Sequence, residues 1–196
     1  MTVGTIRISF LPRAGKENPY QKLMIEGVAS FKEFSTKSGE GGRWFALLRT
    51  FILQQPDIIH LDWIQSYYFA NKRWQTFIRS LFFVIEVLVL KLTPVKLIWT
   101  VHNLYPHNAQ PSWGQRKLRS FFAQSCLFVR VFSKVTKEEV CKDFGIQETK
   151  VDVVPEGSYT SYYPNSKGKQ EARRQLGLPQ QHKVLLYVGG VSEYKG

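Results

Sequence analysis

The side chains best suited to chemistry stand where short apolar runs of this 196-residue chain end. His102 follows Leu97-Ile98-Trp99-Thr100-Val101 and opens the segment His102-Asn103-Leu104-Tyr105-Pro106-His107-Asn108. Asp62 and Trp63 follow Ile59-His60-Leu61, while Arg13, Gly15 and Lys16 follow the run over residues 5–11. Glu156 and Gly157 follow the run over 151–154. Histidine and carboxylate groups are suited to moving protons or stabilising charge, and arginine, lysine and glycine-rich turns are suited to contacting anions.

Taken singly, these residues leave their roles open. Gly15 fits an ordinary turn as well as a loop that approaches a ligand. His60 lies inside an apolar run and reads as a satisfied core histidine, and His182 sits on a polar connection and reads as solvated. His102 is divided between a structural and an active-site role. His102 and His107 are five apart, which stacks them on no helix face, and no cysteine or carboxylate completes a metal set, so no metal is expected. The chain has no G-x-S-x-G, H-E-x-x-H or G-x-x-x-x-G-K-[ST] motif, and its first turn lacks G-x-G-x-x-G.

The elements that would carry these residues alternate strand and helix, the order of a parallel sheet with crossover helices. Strands are expected at 5–11, 57–61, 96–101, 127–132 and 151–154. Helices are expected at 19–31, 44–53, 72–92, 113–124 and 134–144, with a helical stretch at 169–176 in a polar connection. Residues 31–42 are polar and glycine-rich and receive no element. The expected fold class is α/β, a Rossmann-like parallel sheet with helices on both faces. In such sheets ligands bind beyond the carboxyl ends of the strands, which is where the candidates stand.

The one compositional outlier is a formal net charge of +12, which calls for a polyanionic neighbour. Lysine and arginine are scattered rather than interleaved with aromatics, which argues against nucleic acid. The helix at 72–92 is apolar on nearly every face but is interrupted by Arg79, Glu86 and Lys91, so it is too broken to span a bilayer. It reads either as a helix packed on the sheet or as one meeting an anionic membrane surface, and the two are compatible on opposite faces. Cys126 and Cys141 match no disulfide or metal spacing and no signal peptide precedes the first strand, which points to the cytoplasm, with peripheral association at the inner face of the membrane.

Trp99-Thr100-Val101-His102-Asn103-Leu104-Tyr105-Pro106-His107 resembles the W-T-V-H-N-x-x-P-H segment of bacterial glycosyltransferases of family 4, retaining enzymes of the GT-B fold. Asn18-Pro19-Tyr20-Gln21, Ile59-His60-Leu61-Asp62-Trp63 and Val154-Pro155-Glu156-Gly157-Ser158-Tyr159 match in the expected order, as do Leu186-Tyr187-Val188-Gly189-Gly190-Val191 and Tyr194-Lys195-Gly196. The resemblance implies an active site between two Rossmann-like halves, one for the acceptor and one for a nucleotide sugar. It implies that His102 is the catalytic residue, by positioning and charge stabilisation, and that Gly15, Lys16, Gly189 and Lys195 contact the donor phosphates. Arg13, Asp62, Asn103, His107 and Glu156 become acceptor-side candidates. Such enzymes are typically metal-independent, so no cofactor is expected beyond the nucleotide-sugar substrate. Two departures stand out: Gly15 is followed by Lys16 where relatives carry a glycine pair, and Gly190 stands where relatives carry arginine.

The expected domains are an acceptor-binding domain at 1–165 and, at 166–196, a linker with the first strand and loop of a donor domain. The strand expected at 184–188 is apolar on both faces and would pair with a sheet edge or with another copy of the chain. The function expected is the acceptor-binding part of a retaining glycosyltransferase acting on a glycan or lipid-linked acceptor, inactive alone. The alternative is a non-catalytic basic module that docks on anionic membrane or phosphorylated glycan.

Overall fold

The computed structural model describes residues 4–13, 15, 18–105, 112–164 and 167–189. Two compact units emerge, Met1–Pro155 and Glu156–Gly196. In the first, the described elements run β1 (Ile6–Leu11), α1 (Tyr20–Ala29), β2 (Phe34–Ser38), α2 (Ala46–Gln54), β3 (Ile58–Leu61), α3 (Gln65–Tyr68), α4 (Arg73–Lys91), β4 (Lys96–Thr100), α5 (Trp113–Ser125), β5 (Phe128–Val131), α6 (Lys134–Phe144) and β6 (Val151–Val153). The strands form one parallel sheet in the order β2-β1-β3-β4-β5-β6. It is the expected α/β, Rossmann-like arrangement. The chain first steps from β1 outward to β2 and then returns to the other side of β1 with β3, so the winding reverses between β1 and β3. That reversal opens a crevice at the carboxyl ends of β1 and β3.

The strands deliver Leu11, Ile59, Leu61, Leu97, Trp99, Val129 and Val131 into a continuous core. α4 seals it with Phe83, Val87 and Leu90, and α5 and α6 add Phe122 and Phe144. Two of the described helices start on side-chain caps. Ser112 and Gln115 form a reciprocal capping box at α5, and the Ser133 hydroxyl accepts from the Thr136 N–H at α6, which closes on Gly145 at φ 63°. The α2 N-terminus has no side-chain cap of its own; the Glu86 carboxylate of α4 accepts from Leu47 N–H at 2.9 Å and Leu48 N–H at 3.1 Å. Burial pushes the Glu86 carboxyl up to about 6, against the pull of those two amides.

Three elements differ from expectation. Residues 31–42 contain the edge strand β2, whose Phe-Ser-Thr-Lys-Ser sequence lacks apolar alternation because its residues are only partly covered or exposed. The turn after β3 adds α3. Residues 183–188 form no strand, and Leu185 is 103% exposed; an apolar run becomes a strand only when a ladder partner satisfies its backbone. In the second unit, α7 (Lys169–Gln175) is tied to the chain that follows by Arg173 Nη1, which donates to the carbonyls of Gln180 at 3.1 Å and His182 at 2.9 Å.

α4 packs on the core through one apolar face and carries a second one outward. Phe83, Val87 and Leu90 are buried, while Trp74, Phe77, Leu81, Ile85 and Leu88 form an exposed stripe at helical spacing. Among the described residues no helix is long and apolar enough to cross a membrane.

Candidate active site

Asp62 is the first residue beyond β3 and is held through its backbone on both sides. Its N–H donates to the Leu11 carbonyl at 2.8 Å, and its own carbonyl accepts from Trp99 Nε1 at 3.2 Å. The side chain is buried, with Oδ1 at 3.1 Å from His102 Nε2, 3.2 Å from the Tyr20 hydroxyl and 3.8 Å from His60 Nε2. Oδ2 is buried with no hydrogen-bond partner among the described residues.

His102 follows β4 and packs among aromatic rings. Trp63 stacks on it at 4.5 Å between centroids, and Tyr20 and Phe132 meet it edge-on at 4.8 Å and 5.2 Å. Its side chain is 13% exposed. The carboxylate on Nε2 favours the tautomer with the proton there, leaving Nδ1 as the acceptor nitrogen. The turn that carries it is anchored by Arg119, whose Nη1 donates to the Asn103 carbonyl at 3.3 Å and whose Nε donates to the Tyr68 hydroxyl at 2.8 Å. Arg119 is itself buried against the rings of Tyr68, Trp99 and Tyr105.

Tyr20 and Arg130 complete the network. Asn18 Oδ1 caps the backbone N–H of Tyr20 at 3.0 Å and sets the start of α1, so that the Tyr20 hydroxyl reaches Asp62. Arg130 Nη1 donates to that hydroxyl at 3.2 Å, and its Nε and Nη2 bind the carbonyls of Val154 and Pro155. Burial, reinforced by the charge of Asp62, raises the Tyr20 phenol well above its ordinary value and keeps it neutral. Behind the site, His60 Nε2 lies 2.7 Å from Thr100 Oγ1. Burial is the largest influence on His60 and lowers it to about 4, with Asp62 opposing the shift and Arg130 and His102 adding to it.

The other candidates fall in different places. Arg13 is exposed beside a cavity that also meets α3 and α4. Asn103 contributes its carbonyl to Arg119. A Cβ at Gly15 would meet nothing within 4 Å, and the backbone there is outside the left-handed region. Glu156 accepts from the Tyr159 hydroxyl within the second unit, where Gly189 has φ 147°. Lys16, His107 and Lys195 lie outside the described residues. Among the described residues no cluster of three metal-ligating groups is present.

Sequence reasoning placed Asp62 and His102 at the sheet edge but passed over Tyr20, Arg130 and the proximity of His60. The signal for Arg130 was available: a charged residue inside the apolar strand Phe128-Val129-Arg130-Val131 must find partners where it is buried. Tyr20 carried no such signal, since only the folded turn shows that α1 begins over Asp62. The family model described as Glycosyltransferase Family 4 matches residues 10–161, a span that includes Tyr20, Asp62, His102 and Arg130. No curated protein matches the chain.

Proposed function

The chain belongs to glycosyltransferase family 4, and from that membership we propose that it forms the acceptor-binding side of a retaining transferase that moves a sugar from a nucleotide sugar to a glycan or lipid-linked acceptor. The observation that carries the reading is the buried Asp62–His102 pair at the carboxyl edge of the sheet. With Nε2 committed to Asp62, His102 Nδ1 accepts a hydrogen bond from the acceptor hydroxyl and aligns its oxygen for the new bond to the sugar. As that bond forms and the bond to the leaving diphosphate breaks, the hydroxyl proton passes to Nδ1 and Asp62 stabilises the resulting imidazolium. Gly15, Lys16, Gly189 and Lys195 are the proposed contacts to donor phosphates. In this reading, residues of the first unit form the acceptor wall of the cleft.

Calorimetric titration tests the reading. Saturable binding of saccharide acceptors, weakened at least tenfold by Asp62→Asn, supports it. Absence of saturable saccharide binding, or binding unchanged by Asp62→Asn, would show that the acceptor side has been misassigned.

The exposed stripe Trp74, Phe77, Leu81, Ile85 and Leu88 on α4 favours one addition. Together with the charge of +12 it suits an anionic membrane surface, on which the domain docks peripherally.

A further inference from the structure

A basic cavity of about 760 Å³ lies beside the carboxyl end of β1, between the loops that follow β1 and β2 and the α3–α4 segment. Its lining includes Arg13, Arg43 and Arg79 and no acidic residue. None of these guanidinium groups forms an ion pair with a described carboxylate. Arg79 donates from Nη1 to the Phe69 carbonyl at 3.1 Å, and its buried Nε has no partner among the described residues. Tyr67, 2% exposed, lines the same cavity, and its buried hydroxyl is likewise unpartnered. Gly42 shapes the loop that presents Arg43. Its φ is +105°, and a Cβ there would come within 3.3 Å of Arg49 Nη1, so a glycine is required. Buried donors left without acceptors are costly, and arginine forks match phosphate oxygens in pairs.

A second cavity, of about 860 Å³, adjoins this one and shares Phe69, Ala70 and Asn71 with it. It runs between α4 and α5, where Phe77, Val84, Trp113, Leu118 and Phe121 give most of the surface, with polar residues such as Arg73 and Lys117 beside them. Phe77 is 72% and Trp113 75% exposed, an arrangement that leaves large apolar surface facing water. The shared segment is pinned in place by Thr76 Oγ1, which donates to the Ala70 carbonyl at 2.9 Å and accepts from its N–H at 3.1 Å. An anion-accepting compartment and an apolar groove therefore meet at one fixed hinge of chain.

We infer that the two cavities together bind a phosphorylated lipid, with its phosphate or diphosphate among Arg13, Arg43 and Arg79 and its hydrocarbon chain along the α4–α5 groove. The inference rests on the acceptor-side reading and names the chemical class of that acceptor. Neither cavity alone makes the case: basic side chains would take any phosphate, and an apolar groove would take any oily group. Their junction selects a molecule that carries both.

Farnesyl phosphate, used below its micelle concentration, is the direct probe, with inorganic phosphate and farnesol as the two half-ligands. Titrated into the 196-residue chain, farnesyl phosphate should bind one to one and at least tenfold more tightly than either half. Arg43→Gln and Arg79→Gln should each weaken it about tenfold, the expectation for a charge-assisted hydrogen bond. Phe77→Ser should weaken farnesyl phosphate while leaving phosphate unchanged. If Arg79→Gln lowers the melting temperature, the exposed Arg43 carries the test. Farnesyl phosphate bound no better than its halves, or unaffected by Arg43→Gln, would overturn the inference. So would association seen only with phosphatidylglycerol vesicles, which would assign the basic side chains to bulk membrane rather than to one lipid phosphate. Because the readout is binding, failure here leaves the Asp62–His102 reading standing, and loss of that reading leaves the binding result unchanged.

Discussion

Asp62 Oδ1 sits 3.1 Å from His102 Nε2, and the second oxygen of the same buried carboxylate has no described partner. The pair is drawn from two different strand ends, β3 and β4, and is braced by Tyr20 from a third element. An orienting carboxylate buried under a half-enclosed imidazole is a device for fixing one tautomer, and it makes the two residues separable by mutation.

In an enzyme that joins this domain to a donor-binding domain, His102→Ala should leave folding nearly unchanged and lower turnover by roughly two orders of magnitude or more. Initial-rate assays of nucleoside diphosphate release, paired with a thermal melt, read both quantities. Unaltered turnover, or a variant that unfolds, would assign His102 to the core.

Asp62→Asn keeps the shape of the side chain but can no longer hold charge beside the imidazole. Turnover should fall at least tenfold, with binding of the nucleotide sugar unchanged. The proton-coupled nitrogen resonances of His102 should shift between the wild type and the variant, reporting the altered contact at Nε2.

Tyr20→Phe removes both the hydrogen bond to Asp62 and the acceptor used by Arg130 Nη1. Loss of a buried bridge that leaves a donor unsatisfied should cost about 1–3 kcal/mol in a urea unfolding experiment. A variant as stable as the wild type would mean that Arg130 is satisfied by its two carbonyls and the Met24 sulfur.

Two buried groups give opposite pH dependences. His60, facing Asp62, Arg130 and His102, is lowered to about 4, so the unfolded chain takes up its proton first as pH falls from 6.5, and stability is lost towards pH 4. Glu86 is raised to about 6, so the folded chain takes up its proton first between pH 6 and 4.5, and stability is gained. Each effect is on the order of 2–3 kcal/mol at most, with His60 the larger. Denaturant midpoints between pH 7 and 4.5 should therefore fall more steeply in Glu86→Gln than in the wild type, and should fall less, or rise, in His60→Gln. Parallel curves for all three proteins would show that neither group carries the linkage.

Docking through the α4 stripe should appear as flotation with anionic liposomes that weakens steeply with salt, since exposed charges are screened beyond about 8 Å at physiological ionic strength. Leu81→Glu, on the exposed face, should weaken it further without changing the melt. Equal flotation with neutral liposomes would remove the electrostatic part of the proposal.

The parallel sheet was legible because its strands are apolar on both faces and its helices carry the 3.6-residue period, as in Leu97-Ile98-Trp99 and along α4. The edge strand β2 was not, because exposure removes the pattern that would announce it. At the site, the positions of Asp62 and His102 followed from strand ends alone. The Tyr20–Arg130 contact did not, for it joins residues 110 apart whose meeting depends on the order of strands in the sheet. The run at 184–188 shows the opposite failure: strong local preference without the partner that makes a strand.

Glu86 has a bearing on folding order as well as on pH. The first turn of α2 is completed by a carboxylate that arrives 39 residues later on α4, so nine residues of α2 have little reason to persist as a helix before α4 docks. The two helices should open and close as one cooperative unit, and the amide protons of Leu47 and Leu48 should exchange with solvent at the rate set by α4 rather than by local fraying. A surface helix near the amino terminus thereby becomes a reporter on the integrity of the core.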